Sequence, residues 1–270
     1  AYVTYRGFTV GHTASLFEDG AAAPPTIDDE GPCGLVGVNN NLIDYTHSFG
    51  KRFKVGVGVE LSSVSMTTTD LTRSVSQRIP DIPAFVQYNW SDGDGWLRFS
   101  ALMRNIQYRD LVADKNRNKT CWGIKLSGST PIGATPLQAY YQAAYGRGIG
   151  GYIQDLAGLG LDLSPEAGAP GRLDAVKAWG AYAGLQYTFS EKFLASVSYS
   201  QARAYAKGYS AGSTPWNEQY KYAQYVSANI FYTILPGLQC GVEYLYGRRV
   251  DMDGMSRSDN RINTMLQFSF

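Results

Sequence analysis

Segments in which apolar and polar side chains alternate recur from one end of the chain to the other. The last nine residues, INTMLQFSF, are the clearest example. One face of this segment carries Ile262, Thr264, Leu266, Phe268 and Phe270, and the other carries Asn263, Met265, Gln267 and Ser269. A period of two places successive side chains on opposite faces of a β-strand. Each segment therefore predicts a strand with one apolar and one polar face.

Eight further segments follow the same pattern, so the fold class is predicted to be all-β. They begin at Phe53, Trp96, Cys121, Leu137, Ala178, Phe193, Gln224 and Leu238. Alternation alone leaves two arrangements open. The polar face lies outside in a soluble β-sandwich, and it lies inside in a barrel that crosses a membrane.

The links between the predicted strands favour the membrane barrel. Short links cover residues 50–52, 92–95, 131–136, 190–192 and 235–237, and longer links cover residues 18–39, 66–82, 110–118, 148–172, 207–217 and 250–260. Short and long links alternate throughout, which is typical of barrels with short periplasmic turns and long external loops. We therefore predict one transmembrane antiparallel up-and-down β-barrel domain over residues 1–270.

Aromatic residues near the predicted strand ends fit the same interpretation. They are Trp90, Trp96, Trp122, Trp179, Phe189, Phe193, Tyr232 and Phe270. Barrels of the outer membrane carry girdles of aromatic side chains at both lipid interfaces. We expect these residues to form such girdles.

Composition excludes several other classes of protein. The mean hydropathy is −0.23, and no stretch approaches the roughly 18 apolar residues that a spanning helix needs. The net charge of +1 with no basic cluster gives no reason to expect nucleic acid as a partner. Cys33, Cys121 and Cys240 lack any CxxC or histidine pairing. They indicate neither a metal site nor a disulfide framework, although a single disulfide bridge remains an alternative. We expect no cofactor.

Counting back from the C-terminus gives about thirteen strands, beginning with AYVTYR and FTVGHTASLF. Bacterial single-chain barrels have even strand numbers and periplasmic termini. An odd count therefore predicts that at least one N-terminal strand is absent from this sequence. If the full protein has 16 strands, the link over residues 18–39 joins the fifth and sixth of them. In trimeric diffusion porins the loop at that position folds inward and narrows the pore.

Two stretches resemble a known family. GHTASLFEDGAAAPPTIDDEGPCG, followed by LIDYTHSF, contains a Ser-x-Phe-x-Asp element, a Pro-x-Thr element and a Gly-Pro turn. Together with GWLRFSALMRNIQYRD, it is similar to the DcaP-like trimeric outer-membrane porins, although His12 stands where that pattern often has Gln. The resemblance covers most of the chain. It implies a homotrimer of 16-stranded barrels that admit small, often anionic, solutes.

Alternation also predicts which charged side chains point into the lumen. The pore-lining candidates are Arg6, Asp44, Lys54, Glu60, Arg98, Arg104, Lys125 and Glu243. A charge on the lipid face costs about 2 to 4 kcal/mol near the midplane, so these groups are expected inside. Whether they contact solute is a separate question.

The link over residues 18–39 is the candidate pore-constricting loop, and it is acidic. Its carboxylates are Glu18, Asp19, Asp28, Asp29 and Glu30. If they face the basic wall, they create a transverse field that orients charged solutes. The alternative is that they are solvated on the outer surface, as runs of charge usually are.

His12 and His47 share parity with apolar neighbours and are therefore expected to point outward. One interpretation places them at the subunit interface. The other places them at the level of the lipid headgroups.

The sequence thus predicts a passive diffusion channel for small hydrophilic solutes in the outer membrane of a Gram-negative bacterium, with a preference for anions such as dicarboxylates. Expected partners are outer-membrane lipid and lipopolysaccharide, further copies of the chain and the solutes. Two alternatives remain. The Gly-rich link over residues 148–172 could close the lumen of a structural or partner-binding barrel, and some membrane barrels are hydrolases. No GxSxG motif supports a hydrolase, and neither histidine is predicted to face the lumen.

Overall fold

The computed structural model describes residues 1–90, 93–206 and 218–269. Sixteen strands lie in these residues. They are β1 (Tyr2–Tyr5), β2 (Phe8–Ala14), β3 (Asn39–Phe49), β4 (Phe53–Leu61), β5 (Thr72–Ser74), β6 (Ile82–Trp90), β7 (Gly95–Asp110), β8 (Lys115–Pro131), β9 (Leu137–Arg147), β10 (Leu163–Pro165), β11 (Leu173–Ala175), β12 (Lys177–Ser190), β13 (Phe193–Tyr205), β14 (Tyr220–Leu235), β15 (Leu238–Asp251) and β16 (Ser256–Phe268). The predictions for Asp92, the link 207–217 and Phe270 lie outside the described residues.

Thirteen of these strands form one antiparallel wall in the order β1-β2-β3-β4-β6-β7-β8-β9-β12-β13-β14-β15-β16. Each strand pairs with the next one along this order, as in an up-and-down barrel. The fold class and the strand count are therefore confirmed. Among the described residues, no pairing joins β1 to β16. No helix in the described part of the chain is long and apolar enough to cross a membrane.

The two sides of the wall have links of different length, with two corrections to the prediction. Residues 15–38, 62–81 and 148–176 form long segments on one side, and residues 50–52, 132–136, 191–192 and 236–237 form short turns on the other. The predicted long links over 110–118 and 250–260 are wrong, because only residues 111–114 and 252–255 lie between strands there. Polar cross-strand pairs such as Asp110 with Lys115 continue the ladder further than apolar alternation indicates.

The wall has an apolar outer face and a polar inner face. Val57, Val86 and Val242 are each more than half exposed on the outside. Ser127, Ser198, Ser200 and Ser227 are buried on the inside. Outward aromatic pairs lie near the strand ends, as at Trp122 and Tyr145, whose ring centroids are 5.8 Å apart. These contacts agree with the predicted girdles.

Two predicted positions differ from the structure. Trp96 points inward and donates from Nε1 to Asp19 Oδ2 at 3.2 Å. Arg6 lies in the turn between β1 and β2 and is exposed, instead of lying on the lumen face of a strand. The turn forms there because Gly7 adopts a φ of +89°, a conformation that glycine tolerates and other residues rarely adopt.

The hydrophobic core lies inside the barrel, where the segments 15–38 and 148–176 pack against the wall. Phe17, Val36, Ile149, Ile153 and Leu156 are fully buried there, and Leu161 is almost so. Burial of this apolar surface favours segments that fold inward over segments that extend into water. The three cysteines are free thiols.

Candidate functional site

The segment of residues 15–38 enters the barrel interior directly after β2. Glu60 on β4 holds its start, because the carboxylate accepts from Ser15 Oγ at 2.9 Å and from the Leu16 amide at 2.8 Å. Asn40 Nδ2 donates to the same carboxylate at 2.8 Å. A fully buried glutamate with these donors fixes the direction in which the segment leaves the wall.

The middle of the segment, at residues 27–28, is held by Glu243 on β15, eight positions from β4 along the wall. The Glu243 carboxylate accepts from the amides of Ile27 and Asp28, both at 2.9 Å. Arg261 on β16 pairs with Asp28 at 2.8 Å. Since its start and its middle are anchored on distant strands, the segment crosses the interior.

The return path passes closely over β12 and β13. The Gly34 amide donates to Ser200 Oγ at 2.8 Å, and Gln142 Nε2 donates to the Gly34 carbonyl at 3.0 Å. A Cβ atom at position 34 would lie 2.5 to 2.6 Å from backbone atoms of Gln201 and Ala181. The close approach therefore requires glycine here.

The predicted encounter between acidic loop and basic wall occurs at Asp19. Its carboxylate lies 3.6 Å from Arg98 and accepts from Ser127 Oγ at 2.7 Å. Arg98 also donates to the Glu18 carbonyl at 2.9 Å, and Lys125 acts electrostatically on Glu18. Burial raises the pKa of Glu18, while the Val38 amide and Lys125 act in the opposite direction. The segment's first carboxylates thus face cations of β7 and β8.

The other acidic residues of the segment have different surroundings. Asp28 pairs with Arg261, and Glu30 accepts from Gln154 Nε2 at 2.7 Å. Asp29 is exposed. Arg261 was not among the predicted residues. Its parity with Asn263 in the alternating pattern of β16 would have placed it on the lumen face.

The segments 62–81 and 148–176 meet at Arg104 on β7. Its fully buried guanidinium bonds to Asp81 at 2.8 Å and to Asp162 at 3.0 Å. It also donates to the Gly148 carbonyl and lies 4.9 Å from the centroid of the Tyr152 ring. Asp81 belongs to the segment 62–81 and Asp162 to the segment 148–176, so one arginine ties both to the wall.

Backbone contacts join the inserted segments to each other. Val36 bridges Ile153, and the Gln154 amide donates to the Leu35 carbonyl at 2.9 Å. Met66 bridges Leu161 on the opposite side. The Gly-rich segment therefore packs within the barrel on its two neighbouring segments.

Open space remains on both sides of the segment 15–38. A cavity of about 390 Å³ toward the short turns is bordered by Thr9, Thr13, Asp44, Lys54, Phe85 and Arg98. Arg98 lies 4.2 Å from the centroid of the Phe85 ring. A second cavity of about 420 Å³ toward the long segments is bordered by Asp155, Tyr220, Tyr225, Arg249, Arg257 and Asp259.

Apart from Arg6, the predicted lumen residues all point inward, and they fall into two groups. Asp44, Lys54 and Arg98 border the first cavity. Glu60, Arg104, Lys125 and Glu243 also point inward, but each is at most 2% exposed. The inserted segments cover these four side chains. Three of them, all except Lys125, hold the segments through direct bonds, which alternation alone could not indicate.

The histidines point outward, as their parity predicts. His12 Nδ1 lies 3.2 Å from Asn41 Oδ1 on the neighbouring strand. The His47 ring lies 4.6 Å from the Phe49 ring and 6.2 Å from the Tyr45 ring. Both are exposed on the outer face, and the interface role remains a prediction.

The polar inner face and the folded-in segments agree with one family model, that of the porin subfamily, which matches residues 1–267. This chain belongs to the porin family. Among curated proteins, none matches it. The family match and the fold together make it a passive diffusion channel of the Gram-negative outer membrane.

Solved structures share the fold of this porin. The outer-membrane channel DcaP of Acinetobacter baumannii is similar with a TM-score of 0.84 and 23% identity, over 100% of this chain and 73% of that one. OmpT of Vibrio cholerae matches with a TM-score of 0.59 and 11% identity, over 97% and 75%. OccK8 (OprE) of Pseudomonas aeruginosa matches with a TM-score of 0.55 and 14% identity, over 96% of this chain and 67% of that one. The resemblance to DcaP-like porins is confirmed, and the family points to a non-enzymatic channel.

Proposed function

We propose that the segment 15–38 narrows the lumen of this porin and that the channel favours small anions, including dicarboxylates, over cations. The supporting observation is the pairing of the segment's carboxylates with wall arginines, Asp19 with Arg98 and Asp28 with Arg261. Paired carboxylates repel anions less than free ones. Arg257 has no carboxylate within 4.0 Å among the described residues, so its charge is available to a solute.

The cavity toward the long segments adds to the argument. It is bordered by Arg248, Arg249 and Arg257 and by two carboxylates, Asp155 and Asp259, and Arg249 pairs with Asp251 at 2.8 Å. Burial raises the pKa of Asp155, with the Tyr220 hydroxyl acting in the opposite direction. A raised pKa means that this carboxylate loses its negative charge at a higher pH than usual. The unpaired Arg257 and the raised pKa of Asp155 therefore favour anions in this cavity.

Replacement of Arg98 and Arg257 by glutamine should lower the ratio of anion to cation permeability by roughly threefold, because each removed charge acts over a few ångströms in partly screened water. Reversal potentials in planar bilayers under a salt gradient measure this ratio. The matched control neutralises Arg52 and Lys192, which are exposed in short turns. An unchanged ratio in the lumen variant, or an equal fall in the control, would contradict the anion preference.

We further infer that the porin assembles as a homotrimer surrounded by outer-membrane lipid and lipopolysaccharide. The resemblance to trimeric porins supports the assembly. The outward polar pair of His12 and Asn41 supports an interface on β2 and β3, because polar groups on a lipid-facing surface need a partner. Native mass spectrometry of the purified porin measures the number of subunits. A mass of three chains is expected, and a mass of one chain would contradict the trimer.

A further inference from the structure

A basic surface faces outward at the long-segment end of β9, β12, β13 and β14. We call it the basic rim, and it comprises Arg147, Lys177, Arg203 and Lys221. Arg147 is in register with Lys177, which is in register with Tyr205 on the next strand. Arg203 is in register with Trp179 and Tyr222. The four cations border one concavity of about 710 Å³.

The four cations of the basic rim outnumber the two carboxylates that border the same concavity, Glu166 and Asp174. Asp174 is already shared by Arg147 at 2.8 Å and Lys119 at 2.9 Å. In the described ranges, no carboxylate lies within 4.0 Å of Lys177, Arg203 or Lys221. The buried Nε of Arg203 has no hydrogen-bond partner there either. A buried donor without a partner is costly, so the surface is suited to an anionic ligand.

Aromatic side chains place the basic rim at the level of the lipid headgroups. The Arg203 guanidinium lies 4.7 Å from the Tyr205 ring centroid and 5.9 Å from that of Tyr222. Trp179 Nε1 donates to the Tyr205 hydroxyl at 3.3 Å. Below this row the same strands expose apolar residues such as Leu185 and Val197. An aromatic row above an apolar band marks a membrane interface.

We propose that the basic rim binds a phosphate group of lipid A, the anchor of lipopolysaccharide in the outer leaflet. The rim lies on the long-segment side of the barrel, which faces the outer leaflet, and its cations point toward lipid instead of the lumen. Arginine and lysine are the side chains that recognise phosphate, and basic pockets at the membrane surface bind anionic headgroups. The site is separate from the lumen, so it holds or fails independently of the anion preference.

The test titrates the purified full-length porin in detergent with bisphosphorylated lipid A and follows the complexes by native mass spectrometry. The test variant carries Lys177→Gln with Arg203→Gln, and the matched control carries Lys51→Gln with Arg52→Gln in the turn between β3 and β4. Each basic group near an anionic lipid contributes roughly a factor of five, so we expect about 30-fold weaker binding in the test variant. The control should bind like the unaltered protein. A Lys177→Gln, Lys221→Gln variant replaces only partly or fully exposed side chains, and it should show a similar loss even if the change at Arg203 impairs folding.

Two ligand controls identify the source of the phosphate. Lipid A stripped of both phosphates should bind as weakly to the unaltered protein as the phosphorylated lipid binds to the test variant. Inorganic phosphate at millimolar concentration should not compete, because it lacks the acyl chains that lie on the apolar band. Equal affinity for both lipids, or unchanged affinity in both variants, would overturn the proposal. If the test variant loses its oligomeric state but binds lipid A unchanged, the rim forms contacts between copies of the chain. That result would also overturn the proposal.

Discussion

Replacing Arg104 with methionine should lower the free energy of unfolding by about 3 to 5 kcal/mol, the usual cost of removing one partner from a buried ion cluster. The Arg104 side chain is fully buried, as is that of Asp162, and Asp81 is nearly so. Methionine fills much of the same volume but leaves both carboxylates without their cation. The segments 62–81 and 148–176 then lose their common attachment to β7, so the mean single-channel conductance should rise.

Equilibrium unfolding in urea, with the protein in lipid vesicles, measures the loss in stability. The matched control is Arg109→Met on the same strand, since Arg109 pairs with an exposed Asp114 at the barrel surface. Exposed pairs contribute about 0 to 1 kcal/mol, so this control should be close to the unaltered protein. If both variants lose the same small amount, Arg104 is not the attachment point that its contacts indicate.

Replacing Glu243 with alanine should release the middle of the segment 15–38 from the wall. The buried carboxylate accepts from the amides of Ile27 and Asp28 and from Asn229 Nδ2 at 3.0 Å. Hydrogen bonds to a charged group contribute about 1.5 to 3 kcal/mol each, so loss of the carboxylate should destabilise this contact by at least about 2 kcal/mol. Hydrogen exchange at the two amides should therefore accelerate by about 30-fold or more.

Hydrogen exchange followed by mass spectrometry reads this change in the peptide that contains residues 27 and 28. Glu243→Gln keeps one acceptor oxygen and should give an intermediate rate. Glu191→Ala, in the exposed turn between β12 and β13, serves as the matched control and should leave the rate unchanged. Protection of the two amides that persists in the alanine variant would show that Glu243 does not anchor the segment.

The alternation of apolar and polar side chains predicted the wall, because it depends on a local property, the direction in which each side chain points. It placed Glu60, Arg104, Lys125 and Glu243 on the inner face, where the structure has them. It could not show what covers them. The bond from Ile27 to Glu243 joins residues 216 positions apart, and no local pattern encodes such a contact. The inward charges were therefore expected to meet water, whereas four of them are enclosed by the inserted segments.

The errors in the sequence interpretation have similar causes. Trp96 was assigned to a girdle from its place near a strand end, yet its indole lies inside and donates to Asp19. The links predicted over 110–118 and 250–260 are polar, but they continue the ladder of β7 with β8 and of β15 with β16. Polarity indicates exposure to water above the membrane. It does not indicate where pairing ends.

The recording of single channels in planar bilayers tests the central claim most directly. The protein is compared with a variant in which residues 20–36 are replaced by a short Gly-Ser link. We expect discrete open-channel steps in both, with conductance that rises with salt concentration and is larger in the shortened variant. Steps of equal size would contradict the constriction. A lumen that conducts in neither protein, or only after removal of the segment, would show a closed barrel and contradict the account of a passive diffusion pore.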